Sequence, residues 1–391
     1  MREKSESRSL LLLILLSFAL RLAIAACSWG TTDMLSFMRF AFSIDRVGLL
    51  NTYRIDSEFN HPPLPAYWAW LALRLTGRSP YAAAFVFRLA PILADAGSTW
   101  LLWSIARRKP RKSDYAHPLR LAALFAWCPV AILISAYHGN TDSIYAFLCL
   151  LSVYFLEESN SPFLAGLALA AAINIKLIPM LLILPLLLSF RKISEAGKFL
   201  AGLVPGVIPF IIPLVWAEPN FAHNVLAYRS NFDLWGINLL LSGAASDRSN
   251  LPHAVLMYRN VGRFLLAGLV IGWSLLARSA DRWNRYDIAA ATFAIFLVFA
   301  SGFGVQYLVA ILPLLFAARP RIATIYGLLA GAFLLMSYWL FWDGNFPFSS
   351  LFNRTFPPVV GFIGLPTWCL LVYYLAKLPA SSTETKRLAR N

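Results

Sequence analysis

The sequence predicts an all-α polytopic membrane protein with about twelve transmembrane helices. Of its 391 residues, 59% are hydrophobic and the mean hydropathy is +0.63, more apolar than a globular domain can be while still covering its surface. The apolar residues fall into successive runs separated by short polar stretches, with Lys and Arg gathered in alternate loops, the pattern that marks a cytoplasmic side. That placement also accounts for the net charge of +15 without nucleic acid as a partner. The four cysteines, Cys27, Cys128, Cys149 and Cys369, lie in or at the ends of apolar runs with no metal-like spacing and read as packing residues.

Taken in order, residues 1–9 carry Arg2, Lys4 and Arg8 and stay inside, and residues 10–28 form a retained first span. The large external loop 29–87 follows, with interfacial helices such as LPAYWAWLALRL, too short and too interrupted by arginine to span. Span two, 88–105, returns to the basic loop from Arg107 to Lys112, and spans three and four, 119–136 and 143–156, flank an outer turn, HGNTDS. Two short runs, 162–175 and 177–190, meet at Lys176 as a pair of spans or as a re-entrant feature. Span seven, 198–216, leads to a second long external segment, 217–260, rich in Asn, Tyr and Arg. Span eight, 261–277, a pair turning at SGFGVQY, a span at 322–341 and a last one ending near 376 complete a single integral domain, 1–391, with both termini cytoplasmic.

The two longest polar excursions face outward, so the functional surface is expected there. Asp33 follows the first span and is the leading candidate for a working carboxylate; its alternative is a helix-terminal surface acid. Asp45, Asp56 and Glu58 share the loop and read as solvated or paired with Arg46 or Arg54. His61, ahead of Pro62 and Pro63, is either a donor set by stiff backbone or part of a structural turn. Asp142 either shapes a pocket or caps the helix that starts there. Lys176 either snorkels or meets an anion, since an ammonium in an apolar run is otherwise costly. Asp95, deep in span two, reads as a fastener between helices. Gln306 and Tyr307 stand at an outer helix start, and Arg88, Arg229, Arg259 and Arg263 are further outer cations. Asn353-Arg354-Thr355 matches a glycosylation sequon.

Arg21, Thr32-Asp33, FNHPPLPAYW, Arg88-Leu89-Ala90-Pro91 with Asp95, HGNTDS, IKLIP and QYLVAILP, in this order over most of the chain, resemble the GT-C superfamily of polyprenol-phosphate-sugar glycosyltransferases. The segment from His138 to Leu156 is similar to GPI mannosyltransferase catalytic subunits and their bacterial relatives. The resemblance implies transfer of a hexose, mannose first, from a polyprenyl-phosphate donor to a lipid or glycan acceptor, at the outer face of a bacterial inner membrane. It implies Asp33 as general base, with His61, His138, Asp142, Lys176, Arg229, Gln306 and Tyr307 binding substrate. Thr32 and Met34 stand where many relatives carry a second acid, which favours chemistry without a metal or other cofactor. A secondary transporter or lipid flippase of similar span number is the rival reading, and a non-catalytic assembly subunit a third. Transporters place their polar groups at the bilayer midplane between symmetric halves, whereas here those groups gather at one face.

Overall fold

The computed structural model describes residues 2–108, 117–228, 235–242, 252–279, 283–341 and 358–378. Among them the regular structure is entirely helical. Helix α1, Arg2–Cys27, is a long apolar span whose flank of Leu11, Leu12, Leu15 and Leu16 is exposed, as suits a helix bathed in lipid. The stretch after it is itself helical: α2, Thr32–Val47, is amphipathic, with Met34, Phe37, Met38 and Ala41 on its buried face. It is followed by α3, Leu49–Ile55, and α4, Pro63–Leu75, where proline supplies the first helical turn. Asp45 accepts from the Trp70 indole and pairs with Arg74 and Arg78 at the end of α4. The expected partners, Arg46 and Arg54, are not the ones used: Asp56 and Glu58 both pair with Arg39.

Helix α5, Pro80–Arg108, crosses the bundle. The predicted third span is broken: α6, Pro118–Ala126, and α7, Pro129–His138, meet at an angle of 48°. Pro129 lacks the N–H that would continue the ladder, and Arg21 bonds to the Ala126 carbonyl at 2.9 Å. Asp95 accepts from the same guanidinium at 3.1 Å, so the expected fastener joins α1, α5 and the break. Next come α8, Asp142–Glu157, α9, Pro162–Ile175, and α10, Ile178–Leu188. Then follow α11, Ile193–Trp216, the short α12, Gly236–Ser242, and α13, His253–Ser279. The chain closes with α14, Arg285–Phe299, α15, Val305–Ala318, α16, Pro320–Phe341, and α17, Pro358–Lys377.

The layering explains how helix length varies. Helices α8, α14 and α15 are packed on nearly every side and form the main apolar core, while α1, α11 and α13 leave most of their surface to lipid. Five helices among the described residues are long and apolar enough to cross a bilayer, or six with the bent α6–α7 pair as one span. The other predicted spans fall on shorter helices. Two of them, α9 and α14, end at breaks whose residues, Lys176 to Ile178 and Ala300 to Gly302, line the site described below.

Candidate active site

A cavity of about 650 Å³ opens beside α2. Its walls come from α2, the loop before α4, the turn after α7, the break between α9 and α10, the segment around Tyr228, α13 and the start of α15. Of the residues expected as base or substrate contacts, Asp33, His61, Lys176, Gln306 and Tyr307 line it. His138 and Asp142 stand one layer behind, and Arg229 lies outside the described residues.

Asp33 occupies the first turn of α2, where the helix dipole favours a negative charge. Thr31 caps that helix: its hydroxyl accepts from the Asp33 N–H and donates to the His138 carbonyl at 2.8 Å. The Thr31 N–H donates to the same carbonyl at 3.3 Å. This approach needs glycine on both strands of the contact. Gly30 has φ +98°, and a Cβ there would stand 3.0 Å from the Tyr137 carbonyl. At Gly139, φ +78°, a Cβ would strike the Met34 side chain at 2.7 Å.

The Asp33 carboxylate, 33% exposed, is held through one oxygen: Oδ2 accepts from His138 Nε2 at 3.1 Å and from the Asn140 amide. Among the described residues Oδ1 has no protein partner. Burial alone would raise this carboxyl, but the hydrogen bond and charge of His138, the charge of Lys176 and the Asn140 amide outweigh it, and the group is held at about 2. It is therefore ionised throughout the physiological range.

Lys176 follows the last turn of α9 in extended conformation. Its ammonium does not snorkel. It meets Asp142 at 2.9 and 3.0 Å and lies 4.6 Å from the centre of the Tyr307 ring. The Asp142 carboxylate is spent on this pair rather than on capping α8. His61 stacks on Phe37 at 4.5 Å, and its carbonyl accepts from the Tyr53 hydroxyl at 2.7 Å. Burial, and then the Lys176 charge, depress its imidazole to about 3 against the opposing pull of Asp33. His61 therefore faces the cavity as a neutral ring able to donate and to accept.

Arg88 is not an outer cation. It is buried, and it donates to the carbonyls of Ala84, Ala25, Ser28 and Ala136 and to the Ser28 hydroxyl. Arg259 and Arg263, one turn apart on α13, do reach the cavity, as do Arg39 and its partner Glu58. Asn140, Thr31 and Tyr338 carry contacts to the site that the sequence did not signal, since each reads as an ordinary turn, cap or span residue. Among the described residues no group of three His, Cys, Asp or Glu side chains converges as metal ligands would.

The arrangement puts one ionised, immobilised carboxylate, a neutral imidazole and several cations around a space large enough for a drug-sized ligand. The sequence profile described as Glycosyltransferase family 87 matches residues 59–303, more than half of the chain. His61, Asn140, Lys176, Arg259 and Arg263 fall inside that stretch, and Asp33 and Tyr338 outside it. No curated protein matches the chain.

Proposed function

The chain belongs to glycosyltransferase family 87, and from that membership and the cavity geometry we propose a GT-C-type hexosyltransferase. It takes a hexose, mannose as first choice, from a polyprenyl phosphate and passes it to a hydroxyl of a lipid or glycan acceptor. The reaction runs at the outer face of a bacterial inner membrane, with both termini cytoplasmic.

The observation that carries this reading is Asp33 on the cavity wall, with Oδ2 engaged and Oδ1 unpartnered among the described residues. In the reaction the acceptor oxygen attacks the anomeric carbon, the bond from that carbon to the phosphate oxygen breaks, and the hydroxyl proton passes to Asp33. The polyprenyl phosphate leaves as a stable anion, so it needs no acid of the kind a glycosidase supplies. One carboxylate suffices, and displacement in one step inverts the anomeric centre.

A carboxyl held at about 2 is a weak base towards a resting alcohol. The hydroxyl becomes acidic only as its bond to the sugar forms, and a carboxylate already ionised and fixed in place meets the proton at that moment. Lys176, Arg259 and Arg263 supply positive charge for the phosphate. The apolar flank of α13, with Met257, Val261 and Phe264 exposed, gives the lipid tail a route from the bilayer. His61, neutral, suits a sugar hydroxyl better than a phosphate, and Gln306 offers a second hydrogen-bonding group.

The test is transfer of label from polyprenyl-phosphate-mannose by the purified protein in lipid, with a membrane extract supplying acceptors and Asp33→Asn run beside it. Label appearing in a new product only with the native chain supports the proposal. No transfer from mannose, glucose or other carrier-linked sugars would overturn it.

A further inference from the structure

We propose that His138 and Tyr338 form a positioning relay behind Asp33, an imidazole and a phenol buried in line, which fixes one carboxylate oxygen and leaves the other for the acceptor hydroxyl. The role assigned to the pair rests on Asp33 acting as the base; the contacts themselves do not. Neither residue lines the cavity, so both act through Asp33.

Three parts of the chain meet here that are far apart in sequence. Asp33 begins α2, His138 ends α7 and Tyr338 lies in the last turns of α16. His138 Nε2 stands 3.1 Å from Asp33 Oδ2 and its Nδ1 stands 2.8 Å from the Tyr338 hydroxyl. His138 is 4% exposed and Tyr338 is fully buried, so only the Asp33 end of the row reaches solvent.

A core histidine satisfied by whatever lies nearby would explain the burial. It would not explain why the main chain of the same residue addresses the same target. The His138 carbonyl accepts from both the N–H and the hydroxyl of Thr31, the cap of the helix that carries Asp33. Side chain and backbone of one residue thus fix the position and the rotation of one carboxylate.

The direction of the first hydrogen bond follows from chemistry. An ionised carboxylate only accepts, so Nε2 carries the hydrogen. The ring could present Nε2 or a carbon to Asp33 by turning about its bond, and the phenol on Nδ1 selects the orientation that keeps Nε2 forward. The charged and titratable groups facing Asp33 are His138 from the end of α7, Lys176 from the end of α9 and His61 from the loop before α4. Arg39 on its own helix and Arg259 and Arg263 on α13 line the same cavity. Of these, His138 makes the hydrogen bond to the carboxylate.

Tyr338→Phe removes one hydroxyl and keeps the ring that packs against Tyr137 at 5.0 Å. The first readout is the protonation of Asp33 itself, followed by isotope-edited infrared titration of the protein in lipid discs, with Asp33→Asn as the difference reference. The second is transfer kinetics. Tyr338→Phe should move Asp33 protonation upward from its native position, because the imidazole that donates to Oδ2 is no longer held in orientation. It should lower kcat by about ten- to a hundredfold, the cost of a misplaced reacting group, while leaving the donor KM within about twofold. His138→Gln keeps an N–H for the carboxylate and loses the link to the phenol; adding Tyr338→Phe to it should cost little more, as members of one unit do.

An Asp33 titration in Tyr338→Phe that superimposes on the native one overturns the relay, as do losses that simply add in the double variant. If Tyr338→Phe does not fold, nitrogen-15 resonances of His138 in the native protein decide: an Nδ1 that makes no hydrogen bond overturns the relay. Should the native chain transfer no sugar, the base reading fails alone, because the titration is read without turnover.

Discussion

Lys176 and Asp142, which the sequence offers as two separate contributors to a substrate site, are partners: the ammonium lies 2.9 and 3.0 Å from the two carboxylate oxygens. Asp142 is fully buried and the Lys176 side chain is 14% exposed, so the pair seals the cavity floor with the lysine on the cavity side. Removing one partner leaves the other charge buried, which costs about 3–5 kcal/mol. Lys176→Met should therefore both destabilise the fold and weaken donor binding. Adding Asp142→Asn should restore much of the stability, read as a thermal midpoint in lipid, without restoring donor affinity. Recovery of affinity in the double variant would reduce Lys176 to a structural ion.

Asp33→Asn is the sharpest test of the chemistry, because asparagine keeps the shape and can still accept from His138 and Asn140 through its amide oxygen. Loss of a positioned general base costs about a hundred- to ten-thousandfold in rate. Transfer should fall by that much while the donor dissociation constant and the thermal midpoint stay near native. Turnover retained within tenfold would assign the base elsewhere, with Glu58 on the same cavity wall the next to be tested.

His61 makes the fold sensitive to acid. Its imidazole is held at about 3, below its ordinary value of 6.5, because burial and the Lys176 charge disfavour the proton. As pH falls through 6.5 the unfolded chain takes up a proton that the folded chain refuses, so this contribution is whole above 6.5 and shrinks towards about 3. Asp33 acts in the same sense further down, from 3.8 towards about 2. The thermal midpoint of the native protein should therefore decline as pH drops below 6.5, and His61→Gln should flatten the decline between 6.5 and about 4. Parallel curves for the two proteins would show that another group titrates there.

The order of helices was legible because it rests on local signals: apolar runs, basic loops and the Pro-rich entry to α4. The helix within LPAYWAWLALRL was legible for the same reason, as was the place of Asp33 just after the first span. What the sequence hid depends on which way a residue faces and on what lies across the bundle. Arg88 looks like an outer cation until α1 and α7 are seen to present their carbonyls to it. Tyr338 is one aromatic among many in an apolar run, and only the fold places it on His138. The break in the third span was concealed because Trp127, Cys128 and Pro129 keep the run apolar while interrupting the helix.

The position of Asp33 depends finally on Arg88, a residue that never touches the cavity. Its guanidinium gathers the carbonyls of Ala25 and Ser28 at the end of α1 and of Ala136 in the last turn of α7. Those two chain ends lead directly to Thr31 and to His138, the residues that hold α2 and its carboxylate. A lysine in this position carries the charge but not the planar fork, and its three donors cannot reach the same set of acceptors. Each hydrogen bond lost from a charged donor costs about 1.5–3 kcal/mol, so Arg88→Lys should lower stability by at least about 3 kcal/mol. It should also loosen the contact between Thr31 and His138. Slower hydrogen exchange at the Thr31 amide than at exposed loop amides should be measurable in the native protein and lost in Arg88→Lys, together with a fall in kcat at unchanged donor affinity. An Arg88→Lys protein with native exchange at Thr31 and native turnover would show that the two chain ends are held without it.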